Sequence, residues 1–195
     1  MKHRHIFSEL PEGYHQTYSF KLTENIEIVR ELSHLELLIA AALFLAGLWI
    51  HPLSSVSTRS TGFDSTTTRL CLIPFAVIAY LIIHEFTHVF FMRLFGAEKI
   101  VLHKEAGVAA TGSIGYYDRF SFMLISLAPV LIWGILLGAI CFLVPVRWFW
   151  VVYPAFIINF SGSSSDYYSF SLARKAPDAA LIQDTGLEFT IYSKS

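Results

Sequence analysis

Cysteine and charge are both scarce in this sequence. Only Cys71 and Cys141 occur among 195 residues, and both lie in apolar runs. They are expected to be small buried hydrophobes, neither a disulfide pair nor metal ligands. Charged residues make up 15% of the chain and the net charge is -1. No excess of positive charge is present, so the sequence gives no reason to expect a nucleic-acid partner.

Long apolar runs make up much of the sequence. Hydrophobic residues account for 54% of the chain and the mean hydropathy is +0.55, whereas about a quarter of the residues of a soluble domain are charged. Three runs, at 35–53, 70–92 and 120–144, have the length of a transmembrane helix. A fourth stretch, 148–172, is as long as one span but contains a polar insert at 161–166.

These runs predict one all-α membrane domain of about four transmembrane helices. The domain covers residues 35–173, between a cytoplasmic N-terminal segment at 1–34 and a cytoplasmic tail at 174–195. Between the second and third helices, residues 97–119 contain an alternating stretch followed by glycines. This pattern favours a small β-hairpin near the membrane surface.

The distribution of lysine and arginine predicts the orientation. Eleven of these residues lie in the two terminal segments and the 93–119 loop, against three in the 54–69 loop and the turn before the fourth span. The positive-inside rule then places both termini in the cytoplasm. We expect an integral protein of a prokaryotic cell membrane, in contact with the lipid bilayer and of unknown oligomeric state.

The motif His84-Glu85-Phe86-Thr87-His88 lies inside the second apolar run. On a helix, His84 and His88 are one turn apart and face the same way, with Glu85 about 100° round. Two neutral imidazoles can hold Zn²⁺ while the carboxylate reaches a water bound to the ion. Such polar groups are costly at membrane depth, where they mark functional sites. The motif therefore predicts a zinc site with Glu85 as the catalytic base.

A catalytic zinc site needs three protein ligands and one open position. Asp166 is the best candidate for the third ligand, and the loop residues His103 and Glu105 are the alternatives. In the predicted topology, His88 and Asp166 both lie roughly 7–12 Å from the cytoplasmic ends of their spans. Because their depths are similar, we expect the two side chains to meet.

Asp166 shares a helical face with three other residues, Asn159, Gly162 and Ser163, which follow an i, i+3, i+4, i+7 spacing. Small side chains at 162 and 163 would let the helix with the histidines approach. Asn159 would lie about 10 Å along the same face, where its amide could donate to a substrate carbonyl. We therefore predict that Asn159 binds substrate.

The motif at 84–88, followed by Asn159-x-x-Gly162-Ser163-x-x-Asp166, resembles a membrane family of zincin peptidases. That resemblance covers most of the chain, including Pro129 in the third span. The metal constellation and the order of spans are also similar to site-2 proteases, whose later core helix carries an Asn and a metal-binding Asp. Their Leu-Asp-Gly signature is absent, since Ser165 and Tyr167 flank the aspartate. The resemblance implies peptidase chemistry without identifying the substrate.

The sequence is compatible with three different functions. The first is a zinc-dependent membrane metalloprotease in which Glu85 takes a proton from the attacking water and passes it to the leaving amine. Its substrate would be a peptide or a membrane protein. The second is a non-catalytic metal-binding membrane protein, such as a sensor, a carrier or an inactive relative, which needs the ligands but not Glu85. The third is a structural membrane protein that holds no metal.

Overall fold

The structure is a computed structural model that describes residues 6–21, 24–57, 61–105 and 108–194. The side chains of 103–105 and 108–110 are not described. Five α-helices make up most of the described residues. In chain order they are α1 (Ile26–Ile50), α2 (Thr66–Leu94), α3 (Arg119–Leu143), α4 (Phe149–Ser161) and α5 (Ser164–Lys175).

Helices α1, α2 and α3 are long and apolar enough to cross a membrane, by length and composition. They overlap the three apolar runs of the sequence, but α1 begins at Ile26 and ends at Ile50, whereas the first run was predicted at 35–53. Large apolar side chains on α2, including Phe75, Ile78, Phe86 and Phe90, are exposed along the helix. A continuous apolar surface of this kind is compatible with a membrane protein, because lipid would cover it.

The stretch 148–172, expected to form a fourth transmembrane helix, is divided into α4 and α5. Helix α4 ends at Ser161 and α5 begins at Ser164, so each has fewer residues than the roughly 20 that a span needs. At the break, the hydroxyl of Ser163 donates to the backbone carbonyl of Asn159 at 2.9 Å. Serine side chains that bond the backbone in this way weaken a continuous helix. A fourth transmembrane helix is therefore not confirmed.

The described residues also contain seven strands: β1 (Ile6–Phe7), β2 (Tyr14–Lys21), β3 (Ile100–Glu105), β4 (Val108–Ser113), β5 (Tyr116–Asp118), β6 (Leu181–Asp184) and β7 (Glu188–Lys194). Strands β3 and β4 form the expected hairpin between α2 and α3. The other five form an antiparallel sheet in the order β1-β5-β6-β7-β2. The all-α class was incomplete, because this sheet joins residues at opposite ends of the chain, such as Tyr14 and Lys194.

The chain divides into two compact units. The sheet unit comprises Met1–Glu31, Glu85–Ala128 and Ser165–Ser195, and the helical unit comprises Leu32–His84 and Pro129–Ser164. The core of the sheet unit contains buried apolar side chains from its strands and from α3, among them Phe20, Tyr117, Phe122, Ile182 and Phe189.

Two small cores stabilise the helical unit. One contains Tyr80, Leu137 and Ala155, and the other consists of the aromatic side chains of Phe149, Trp150 and Tyr153. Aromatic rings packed edge to face contribute beyond the apolar area that they bury. These cores hold segments of α2, α3 and α4 together within the helical unit.

Candidate metal centre

The structure brings His84, His88 and Asp166 together. One ligand atom from each residue can be chosen so that all three atoms lie within 4.8 Å of one another. Helix α2 is continuous through its whole length, so helix geometry alone places the two imidazoles on one face. Asp166 lies in the first turn of α5 and belongs, with His88, to the sheet unit.

The separation of His88 and Asp166 suits a shared metal ion. Nε2 of His88 and Oδ1 of Asp166 are 3.4 Å apart. Two ligand atoms that each lie about 2.0–2.1 Å from a tetrahedral zinc ion are separated by about 3.4 Å. A direct N–H···O hydrogen bond is usually about 2.9 Å long. Two imidazoles and one carboxylate are also a donor set that zinc prefers, so these residues fit the ion.

A chain of hydrogen bonds fixes the tautomer of His84. The amide nitrogen of Asn159 donates to the backbone carbonyl of Val130 at 3.0 Å, so its Oδ1 is the end that faces Tyr80. The hydroxyl of Tyr80 donates to this Oδ1 at 2.9 Å. The Tyr80 oxygen, 2.8 Å from Nδ1 of His84, therefore accepts the proton of that nitrogen. The imidazole then carries its lone pair on Nε2, as a metal ligand requires.

His88 is oriented by the backbone. Its Nδ1 lies 3.1 Å from the carbonyl oxygen of Ile125 in α3, and because a carbonyl can only accept, Nδ1 is the protonated nitrogen. Both histidines thus hold a proton on Nδ1, which leaves Nε2 as the nitrogen that can bind a metal ion. Contacts of this kind around metal-binding histidines fix the ring orientation and raise the affinity for the ion.

Glu85 is held by a residue that sequence analysis did not identify. The hydroxyl of Thr111, in β4, donates to Oε2 of Glu85 at 2.6 Å. The carboxylate is partly exposed, whereas His84 and His88 on either side of it are buried. No motif links Thr111 to Glu85, because the hairpin brings them together only when the chain folds.

Asp184, at the end of β6, is a second acidic group near the centre. Burial raises the pKa of its carboxyl to about 6, while the hydrogen bond from the Gly186 N–H and the electrostatic effect of His88 lower it, and the charge of Asp166 raises it. The Gly186 N–H donates to Oδ1 of Asp184 at 2.8 Å. The D-x-G pattern at 184–186 indicates a turn, but nothing in the sequence relates that turn to the motif on α2.

The candidate residues differ in what surrounds them. Asn159 is fully buried, and both ends of its amide bond other protein groups, so here it supports His84 through Tyr80. Its contact with a substrate stays a prediction. The side chains of His103 and Glu105, the alternatives for the third ligand, lie outside the described part of the structure.

Comparison with known proteins agrees with this geometry. Residues 77–181 match the model of a family whose description is "Putative zincin peptidase". The matched region includes the motif on α2, the β3–β4 hairpin and Asp166. No curated protein and no solved structure gives a significant match. Because the family model covers more than half of the chain, the protein belongs to this zincin-peptidase family.

Proposed function

We propose that the protein is a zinc-dependent, membrane-embedded peptidase that hydrolyses a peptide bond with an activated water molecule. One observation carries this proposal: His84, His88 and Asp166 bring their ligand atoms within 4.8 Å of one another, with Glu85 next to the first of them on the helix. Three protein ligands are the number used by catalytic zinc sites, which leave one position for water or substrate.

The residues divide the chemistry between them. A bound zinc ion would lower the pKa of water towards 7 and polarise the scissile carbonyl. Glu85 accepts one proton as the water oxygen bonds to the carbonyl carbon. Glu85 then delivers that proton to the amine as the C–N bond breaks, so the carboxylate is regenerated. The Nδ1–H groups of His84 and His88 donate to the Tyr80 hydroxyl and the Ile125 carbonyl, and these hydrogen bonds keep both rings oriented throughout the reaction.

The position of the motif suggests the class of substrate. His84, Glu85 and His88 lie in α2, one of the three helices that are long and apolar enough to cross a membrane. A peptide bond that reaches them is expected to belong to a membrane protein or to a peptide at the membrane surface. We also propose that the site is similar to that of site-2 proteases and that both termini lie in the cytoplasm.

The test uses the full-length protein, purified in detergent. We expect one zinc per chain by mass spectrometry of the metal, and cleavage of fluorescently labelled casein that a chelator abolishes. Glu85→Gln should keep the zinc and lose the cleavage, because an amide cannot accept the proton of water. Glu31→Gln, on the exposed surface of α1, is the matched control and should behave like the wild type.

Each alternative gives a different result. A wild-type protein that binds one zinc but cleaves no casein would favour a non-catalytic metal-binding membrane protein. Equal cleavage by wild type and Glu85→Gln would contradict the assigned role of the carboxylate. A protein that takes up no stoichiometric metal would favour the purely structural alternative.

A further inference from the structure

We propose that Thr111 is a positioning residue that holds the carboxylate of Glu85 in its working orientation. Its hydroxyl donates to Oε2 at 2.6 Å, the distance expected for a strong O–H···O⁻ hydrogen bond. The contact itself does not depend on any activity. Its catalytic consequence rests on the peptidase function proposed above.

A glutamate on a helix surface needs such support. Its side chain turns about several single bonds, and fixing them costs conformational entropy. The hydrogen bond from Thr111 occupies Oε2 and fixes the plane of the carboxylate, which leaves Oε1 to accept a proton from water. Misplacement of a catalytic group by about 1 Å can lower a rate about 100-fold.

Strand β4 places the hydroxyl of Thr111 by close backbone packing. The next residue, Gly112, has no room for a side chain: a Cβ atom there would lie 1.9 Å from the carbonyl carbon of Thr185 and 2.3 Å from the nitrogen of Gly186. The strand therefore packs directly on the turn between β6 and β7. Asp184 stabilises that turn by accepting the N–H of Gly186.

A second contact fixes the same strand on the other side of Gly112. The hydroxyl of the buried Ser113 donates to the hydroxyl of Tyr117 in β5 at 2.7 Å. Pairing of Thr111 with Leu102 of β3 completes the arrangement. With β4 fixed at three successive residues, the distance from Thr111 to Glu85 is set by the fold of the sheet unit.

Infrared spectroscopy of the metal-free protein tests the contact without any assay of activity. The band of the Glu85 carboxylate is the one that disappears in Glu85→Gln. Thr111→Val should shift that band, because the charged oxygen loses its donor, and Thr111→Ser should restore it. Thr17→Val is the matched control: it removes a threonine hydroxyl that bonds the backbone carbonyl of Ile191 in β7 and is not one of the contacts that fix β4, so it should leave the band in place. An unshifted band in Thr111→Val would overturn the proposal.

Kinetics with labelled casein test the consequence. Thr111→Val should lower kcat by roughly 10- to 100-fold with little change in KM or zinc content, because the carboxylate is misplaced but the ligands are not. Thr111→Ser should recover most of kcat. A shifted band with wild-type kcat would overturn the positioning role. Failure of the wild-type protein to cleave casein would contradict the proposed function instead, and the infrared comparison would still decide the contact.

Discussion

Tyr80→Phe is the sharpest test of how the metal centre is built. The hydroxyl of Tyr80 lies 2.8 Å from Nδ1 of His84 and 2.9 Å from Oδ1 of Asn159, in a buried position. Without this hydroxyl, the Nδ1–H of His84 has lost the acceptor described here, and Oδ1 of Asn159 has lost its donor from Tyr80. The ring of His84 then loses the contact that keeps its proton on Nδ1 and its lone pair on Nε2.

The expected effects have definite sizes. Leaving a buried donor or acceptor without its partner costs about 1–3 kcal/mol, so two such losses should lower the free energy of unfolding by about 2–6 kcal/mol. Loss of a hydrogen bond to a metal-binding histidine lowers affinity for the ion about 10- to 100-fold. Zinc affinity is measured by competition with a fluorescent chelator, and stability by thermal unfolding of the metal-free protein.

Tyr153→Phe is the matched control. The hydroxyl of Tyr153 is also in the helical unit and donates to the backbone carbonyl of Leu43 at 2.7 Å, but the residue touches no candidate ligand in the contacts described. This variant should lose about 1–3 kcal/mol of stability and keep the zinc affinity of the wild type. If Tyr80→Phe bound zinc as tightly as Tyr153→Phe, the inferred role of the tyrosine in orienting His84 would be refuted.

Two further predictions concern charged groups. Arg69 is fully buried and forms an ion pair with Asp64 at 2.8 Å, so Arg69→Met should lower the free energy of unfolding by about 3 kcal/mol. Arg147 is a half-exposed partner of the same aspartate, and Arg147→Met should lower that free energy by about 1 kcal/mol or less. Equal losses of stability in thermal unfolding would contradict this prediction. Burial raises the pKa of Asp184 from 3.8 to about 6, so the folded protein holds that proton more tightly than the unfolded chain, and stability of the metal-free protein should fall as pH rises between about 4 and about 6. Asp184→Asn should flatten this dependence, and an unchanged slope would argue against the assignment.

The long helices were predictable because apolar runs of about 20 residues are typical of helices long enough to cross a bilayer. The second run, predicted at 70–92, corresponds to α2 at Thr66–Leu94, and the third, at 120–144, to α3 at Arg119–Leu143. Within α2, the spacing of His84 and His88 sufficed to place two imidazoles on one face. Tyr80 lies four residues before His84 and so shares that face, and the same spacing would have identified it.

Other features depend on contacts between distant parts of the chain. Thr111 reaches Glu85 only through the β3–β4 hairpin, and Asp184 approaches the centre only through β6. The five-stranded sheet likewise joins β2 to β7, whose pairing no local pattern specifies. Asp166 could be predicted in part: its position on a helical face with Asn159 indicated a metal ligand, but only the structure places it beside His88.

The pairing of the first long strand with the last has a consequence for biosynthesis. On the ribosome, β2 (Tyr14–Lys21) emerges long before its partner β7 (Glu188–Lys194), so the two strands cannot pair until most of the residues between them have been made. Translation adds about 5–20 residues per second, so several seconds separate the histidines on α2 from Asp166 and the strands that follow. Until Asp166 and these strands have been made, a nascent chain would therefore carry only part of the candidate metal centre.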